Sequence, residues 1–426
     1  MKKNSSVFGL CYNKVDCFTD IFNASTTYHL FEMSTHIAIE KVKKAAFKQV
    51  DKERPQLQKI ALKIYAHPEI GLQEVKASGW LTAYLENKGF SVEKGICDMP
   101  TSFRASYGKG KPHIAVLAEY DALPGVGHAC GHNLICTIAL GAAVASKHAV
   151  DTYGGTVLVI GTPAEEIQGG KIPMVKKGAF NNLDTALIVH PETFDLATSN
   201  ALACQNLYIE FFGKSTHASA GAERGINALD AMILSFNAIG ALRQHMRSTA
   251  RIHGIITDGG KAANVVPDHS AAEFMVRAAD DTYLDELEQK VLNCFIGAAQ
   301  ATGARLKYRW DEQRYAAMRS NMTLAQLYAA NMKTVGRKVP IPNPGAGAGS
   351  TDMGNVSQIV PAIHPMVAIA PRTISIHSPE FAQAAASDAG IQGMVDAAKA
   401  VAGMIVDLLA NPDTLQKVKE EFSRAS

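Results

Sequence analysis

Charge of one sign is what this sequence has least of: 42 Lys and Arg stand against 40 Asp and Glu, a formal net charge of +2. So even a balance supplies little field for gripping nucleic acid or an anionic membrane, and neither is expected as a partner. Long apolar runs are missing too. Nothing approaches the ~18 or more consecutive apolar residues of a membrane-spanning helix. The apolar stretch near the N-terminus is broken by Asn13, Lys14, Asp16 and Asp20, short of the unbroken ~7–15 residues that a secretory signal needs. Cysteine is sparse and odd in number, seven scattered over 426 residues. That excludes an ordinary disulfide framework and points to a reducing, cytoplasmic setting.

What is present is an ordinary globular composition, 47% hydrophobic and 19% charged, which excludes wholesale disorder. A length of 426 residues implies two domains of roughly 100–200 residues each. Residues 1–32 lack helical periodicity, whereas an amphipathic pattern starts directly after Met33. Met33 is therefore the expected natural start, with 1–32 a disordered leader or an extension, and a weak targeting segment as the alternative.

A helix is expected over 36–66, with Ile37, Val42, Ala46, Val50, Leu57, Ile60 and Ile64 at apolar positions and a break at Pro55. A second, over 74–88, places Val75, Trp80, Leu81 and Leu85 on one face and stops at Gly89. Ile114–Ala118, Val157–Gly161 and Thr185–His190 are short, apolar and rich in β-branched residues, the pattern of buried strands. With a helix over Ile135–Ser146 between them, they predict an α/β fold with a mainly parallel sheet flanked by helices.

The pattern changes near Ala203. Strands are expected at Asn206–Phe212, Arg251–Thr257, Ser270–Ala278 and Leu306–Trp310, with helices at Ile226–Met246 and Tyr283–Ala301. This reads as a small α+β domain inserted at 203–311 into a domain made of 33–202 and 312–426. A helix at Thr323–Val335, a strand near Met366–Ala370, a long helix near Gly390–Ala410 and a charged tail helix complete the second part. The one low-complexity patch is Pro344–Gly349.

Three clusters follow the expected core strands. Cys130 and His132, in Gly127-His128-Ala129-Cys130-Gly131-His132-Asn133, offer a thiolate and an imidazole on a glycine-loosened loop. Sulfur with nitrogen suits zinc, with manganese, cobalt or nickel open; taken alone, the pair reads equally well as a buried cysteine beside a helix-capping histidine. Glu165 and Glu166 close the next strand, and adjacent carboxylates in a buried cleft need a cation or a shared proton. Glu166 would ligate while Glu165 takes a proton from water. His190, before Pro191, ends the third strand, and His377 lies far along the chain. Each reading has a bland counterpart, but their coincidence at strand ends, where open α/β sheets build sites, favours a centre for two divalent ions.

Together these motifs, with Ala118-Glu119-Tyr120-Asp121-Ala122-Leu123-Pro124 and Gly349-Ser350-Thr351-Asp352-Met353-Gly354, resemble the aminoacylase and carboxypeptidase family of co-catalytic metallopeptidases. The likeness runs from about Ile60 to Leu409 and is strongest to the amidohydrolase branch that carries His-x-Cys-Gly-His. It implies hydrolysis of an amide in a small N-acyl amino acid or dipeptide, with Cys130 bridging two metal ions and His132, Glu166, His190 and His377 completing their shells. Glu165 would be the general base, and Asp121 would orient a ligand from behind. The inserted domain matches the family's lid and dimerisation domain, which implies a homodimer. It would supply His217 near the scissile carbonyl, Asn264 for the oxyanion or carboxylate, and Arg277 as a carboxylate clamp. The three motifs look most like the p-aminobenzoyl-glutamate hydrolase subunit and aminoacylase-like dipeptidases. Asn133, standing where many members of that branch have aspartate, places the chain in the dipeptidase-like subgroup and argues against auxin-conjugate or hippurate specificity. The rival readings are a catalytically inactive binding relative, a cysteine hydrolase using Cys130 with His128 or His132, and a peptidase acting on long chains.

Overall fold

The computed structural model describes residues 16–342 and 349–424, with side chains from residue 37 onward. The expected leader thus lies outside the described residues as far as residue 15, as does most of the Pro344–Gly349 patch. From Asp16 the backbone is helical, in one helix running Asp16–Tyr65 and so starting well ahead of Met33. Pro55 lies inside this helix without breaking it, contrary to expectation. A proline removes one backbone hydrogen bond, but this helix packs along two others, and Leu57, Ala61 and Ile64 beyond Pro55 are fully buried. Packing overrides the local signal. In the next helix, Val75–Asn87, Leu81 and Leu85 are buried as expected, while Val75 is exposed because it sits at the first turn, outside the packed stripe.

The central sheet has six strands, in the order Ser91–Lys94, Phe103–Lys109, Gly155–Gly161, His113–Ala118, Thr185–Leu187 and Ala362–Ile363. The last four run parallel, and Phe103–Lys109 pairs antiparallel with the strand on either side of it. Ile114, Val116, Val157 and Val159 are buried, the continuous apolar run of strands covered on both faces. Against them lies the His132–Ala145 helix, every residue of which is buried. It is held between the Asp16–Tyr65 and Asp388–Ala410 helices. The close approach depends on Gly141, where an added Cβ would stand 2.9 Å from Leu57 and 3.2 Å from Ala398. The stretch His132–Tyr153 is apolar and long enough to cross a membrane, but 89% of its most apolar window is buried inside the protein; it is a core helix.

The expected strand over Thr185–His190 is two strands. Thr185–Leu187 belongs to the central sheet, whereas His190–Glu192 pairs in parallel with Met366–Ala368 in a separate ladder. Pro191 does not stop a strand but lies within this second one. It costs no ladder bond there, since His190 N–H donates to Pro365 O and Ile369 N–H donates to Glu192 O.

Between Ala203 and Trp310 the chain builds a four-stranded antiparallel sheet, ordered Arg305–Trp310, Ala203–Phe212, His269–Ala278, Arg251–Asp258. Strict alternation along Ala203–Phe212 and His269–Ala278 turns Leu207, Ile209, Phe211, Phe274 and Val276 to one face. There the Ala228–Leu242 and Asp281–Thr302 helices cover them, forming a separate apolar core. The opposite face, with Asn206, Tyr208, Met275 and Arg277, is only partly covered.

Candidate metal centre

Gly131 sets the geometry of the first loop. Its φ of 79° is left-handed, and an added Cβ would meet Pro191 at 2.9 Å, so glycine is required on both counts. The turn places Cys130 and His132 at the head of the buried helix. His190 holds the proton of Nδ1 towards the Pro191 carbonyl at 2.6 Å, which leaves Nε2 facing Cys130 Sγ at 3.2 Å. His132 is fixed the same way, with Nδ1 2.9 Å from Asp121 Oδ1. Its Nε2 is buried and has no hydrogen-bond partner among the described residues. Asp121 also accepts the Glu166 backbone N–H on Oδ2 at 3.1 Å, so one carboxylate orients two of the expected ligand residues.

Glu165 and Glu166 follow a backbone corner at Ala164, left-handed at φ 61°. Glu74 stabilises this conformation, unusual for a residue with a Cβ, by accepting the Ala164 N–H at 2.9 Å while Thr101 donates to its other oxygen at 2.9 Å. Glu166 Oε1 is buried without a hydrogen-bond partner among the described residues. It stands 3.7 Å from His132 Nε2 and 3.7 Å from His377 Nε2. His377 is itself at a left-handed φ of 66°, with its N–H on the Ala129 carbonyl at 3.0 Å, which ties this distant segment to the Cys130 loop.

Donor atoms of Cys130, His132 and His190 lie within 4.8 Å of one another, as do those of Cys130, Glu166 and His377, and those of His132, Glu165 and Glu166. Cys130 is shared by the first two groups. Two orphaned buried atoms, His132 Nε2 and Glu166 Oε1, converge on one point amid sulfur, nitrogen and carboxylate donors. Such atoms are costly unless something binds them, and the donor set suits divalent cations. The residues fit a metal centre.

Electrostatics agree directly with a ligand role for His190; for His132 burial lowers the imidazole, but Cys130 and Asp121 outweigh it and hold the ring well above its ordinary value. Burial, with His364 and His132 nearby, lowers His190 to about 3, leaving its imidazole neutral. Burial pushes the Cys130 thiol well above its ordinary value. A thiol nucleophile needs the reverse shift. His128, lowered to about 3 by burial and by His132, is a poor base for it. Burial first, then the charges of Asp352, Glu119 and Glu166, raise the Glu165 carboxyl well above the usual range against the pull of Lys171.

Glu165 and Glu166 open onto a cleft between the two sheets, also lined by Cys204, Asn206, Arg277, Gln313, Tyr315 and Ser350. Arg277 donates to Ser350 Oγ at 3.1 Å and rests its other nitrogens on Met275 Sδ. His217 and Asn264 are elsewhere. Both are exposed on adjoining loops of the inserted domain, where Ala218 N–H donates to Asn264 O, and neither joins the donor groups or the cleft lining. Sequence reasoning missed Glu74, Lys171, Asp352 and His364. Asp352 lay in a motif singled out above, and Lys171 six residues beyond Glu165 carried no signal of burial. His364 is buried 5.5 Å, centroid to centroid, from the His190 ring and bonds Ser199 Oγ through Nδ1 at 3.0 Å.

The family model described as Peptidase family M20/M25/M40 matches residues 115–401. The Xaa-Arg dipeptidase of Mus musculus is 34% identical over 405 residues, covering 91% of this chain and 94% of that protein. One of the p-aminobenzoyl-glutamate hydrolase subunits of Escherichia coli (strain K12) is 35% identical over 284 residues, 62% of this chain and 59% of that one. Among solved structures, a putative aminohydrolase from methicillin-resistant Staphylococcus aureus superposes with TM-score 0.75 at 19% identity, over 86% of this chain and 100% of that chain. A Bacillus subtilis protein described as a dinuclear metal-binding peptidase from the M20 family does so with TM-score 0.68 at 19% identity, over 84% and 99%.

Proposed function

Because the chain belongs to peptidase family M20/M25/M40, we propose that it hydrolyses the amide bond of a small N-acyl amino acid or dipeptide at a centre of two divalent ions. The observation that carries this reading is the convergence of His132 Nε2 and Glu166 Oε1, buried and unpartnered, on the Cys130 thiol and the neutral His190 ring. Cys130, His132, Glu166, His190 and His377 would hold the ions, zinc first by donor softness, with manganese or cobalt as alternatives. When bound, such ions polarise a scissile carbonyl and make water a better nucleophile.

The remaining steps belong to the chain. Glu165 lines the cleft beside Glu166, and its raised carboxyl holds a transferred proton more readily than an ordinary carboxylate does. It takes a proton from the attacking water and passes it to the leaving amine. Arg277, in the cleft wall, offers a guanidinium fork to a free carboxylate of the substrate. Dipeptides and N-acyl amino acids both carry such a carboxylate, and the names of the mouse and Escherichia coli relatives point to substrates of these two kinds. The chain would act as a homodimer through the inserted domain, where Ile233, Leu234, Ile255 and Ile256 are exposed apolar residues. His217 and Asn264, remote from the cleft of their own chain, would then serve a partner's cleft.

Glu165→Gln tests the central role. The variant should keep fold and bound metal while losing turnover by ~100-fold or more, the scale of general acid–base catalysis. Turnover within a few-fold of the parent would remove Glu165 from the mechanism.

A further inference from the structure

Behind the proposed centre lies a buried ion network that the five ligands do not use. Lys171 has no exposed surface, a position a lysine occupies only with partners. Its Nζ donates to Glu119 Oε1 at 2.5 Å and to Asp352 Oδ1 at 2.6 Å. Its backbone N–H donates to Asp352 Oδ2 at 2.8 Å. Glu119 and Asp352 are equally enclosed, at 1% and 0% exposure. Two carboxylates about one ammonium leave a negative charge in excess, and buried excess charge is costly unless a cation compensates it.

The excess has a direction. With Oε1 held by Lys171, Glu119 turns Oε2 towards His132 Nε2, 3.5 Å away. This is the nitrogen that the Asp121 bond leaves free, buried and without a hydrogen-bond partner. Glu166 Oε1 stands 3.7 Å from the same atom. Two donors each ~2.1 Å from one ion at a tetrahedral angle lie ~3.4 Å apart, so both separations are those of atoms able to share an ion.

We infer that Glu119 is a further carboxylate ligand of the ion held by His132 and Glu166, and that Lys171, clamped by Asp352, is the residue that positions it. The inference rests on the metal-centre reading above. Lys171 removes one oxygen of Glu119 from competition, so the carboxylate meets the ion through the other. Asp352, set at the head of the Met353–Ser357 helix, holds both the side chain and the backbone of Lys171.

The test is metal affinity, measured on the full chain by chelator competition, together with the absorption spectrum of the cobalt-substituted protein. Glu119→Gln should weaken one of the two ions by ~10–100-fold, the scale seen when groups that tune a metal site are removed, and should alter the cobalt ligand-field bands. Lys171→Met should move the same ion in the same direction. Unchanged affinity and unchanged cobalt bands in folded Glu119→Gln protein overturn the inference. If neither variant folds, a metal-loaded structure of the parent chain decides. Oε2 within about 2.2 Å of an ion supports the assignment, and a separation beyond about 3 Å overturns it. Parent protein that takes up no divalent ion would end the metal-centre reading itself, whereas tight metal binding indifferent to Glu119 ends only this inference.

Discussion

At the scale of single residues, the centre works by giving each ring nitrogen one duty. His190 commits Nδ1 to a carbonyl and His132 commits Nδ1 to Asp121, so each presents Nε2 to the same space. The neutral state of His190 means that this ligand is ready at any ordinary pH, whereas Cys130, its thiol raised by burial, must lose a proton to ligate. Metal loading at neutral pH should therefore release protons, and apparent affinity should fall as pH falls. Titration with zinc in weakly buffered solution measures this. Cys130→Ser should reduce the release, and an equal release from that variant would contradict ligation by the thiol. Cys130, His132, Glu166 and His190 could be singled out in the sequence because reactive residue types followed apolar strands at short spacing, whereas His377 lies far along the chain and took its expected role from the family resemblance. Lys171 could not be singled out, because lysine ordinarily belongs to the surface. Its partners lie 52 and 181 residues away along the chain, which only the tertiary fold brings together.

Elements show the same division between local and distant causes. The alternating strands of the inserted domain and the long amphipathic helices could be read directly, because periodicity is local. The continuity of the first helix through Pro55 and the break between Leu187 and His190 could not, since both depend on packing against segments far along the chain. One such long-range tie is testable. Lys419, on the Pro412–Arg424 helix, reaches Asp184 Oδ1 at 2.5 Å, while Asp184 Oδ2 accepts the His113 N–H at 2.7 Å. Burial raises this carboxyl, but Lys419 and the His113 N–H outweigh it and hold it below its ordinary value. A lowered folded-state value means that the stabilisation is present above the ordinary carboxyl range and is lost as pH falls through the lowered value. Lys419→Met should thus cost about 1–2 kcal/mol at pH 7, and less in acid, in urea unfolding. A cost that is the same at both pH values would show that the pair does not anchor the tail helix.

On the scale of the whole molecule, the inserted sheet turns its uncovered face to the centre and closes one side of the cleft with Arg277. If that guanidinium reads a free carboxylate, Arg277→Ala should raise KM for N-acyl amino acids and dipeptides by ~10–100-fold, the worth of a charged hydrogen bond. It should leave hydrolysis of carboxyl-amidated analogues nearly unchanged. Equal losses on both substrate types would assign Arg277 to structure instead. His217 and Asn264 lie on exposed loops outside this cleft, a placement that residue order alone did not give. The central claim is a two-ion hydrolytic centre, and it is tested most directly by elemental analysis paired with hydrolysis of dipeptides and N-acyl amino acids before and after chelation. The account predicts about two divalent ions per chain, with activity lost to the chelator and restored by zinc or manganese. A reconstituted chain that holds no metal, hydrolyses the panel regardless of chelator and leaves Cys130 open to alkylation would contradict it.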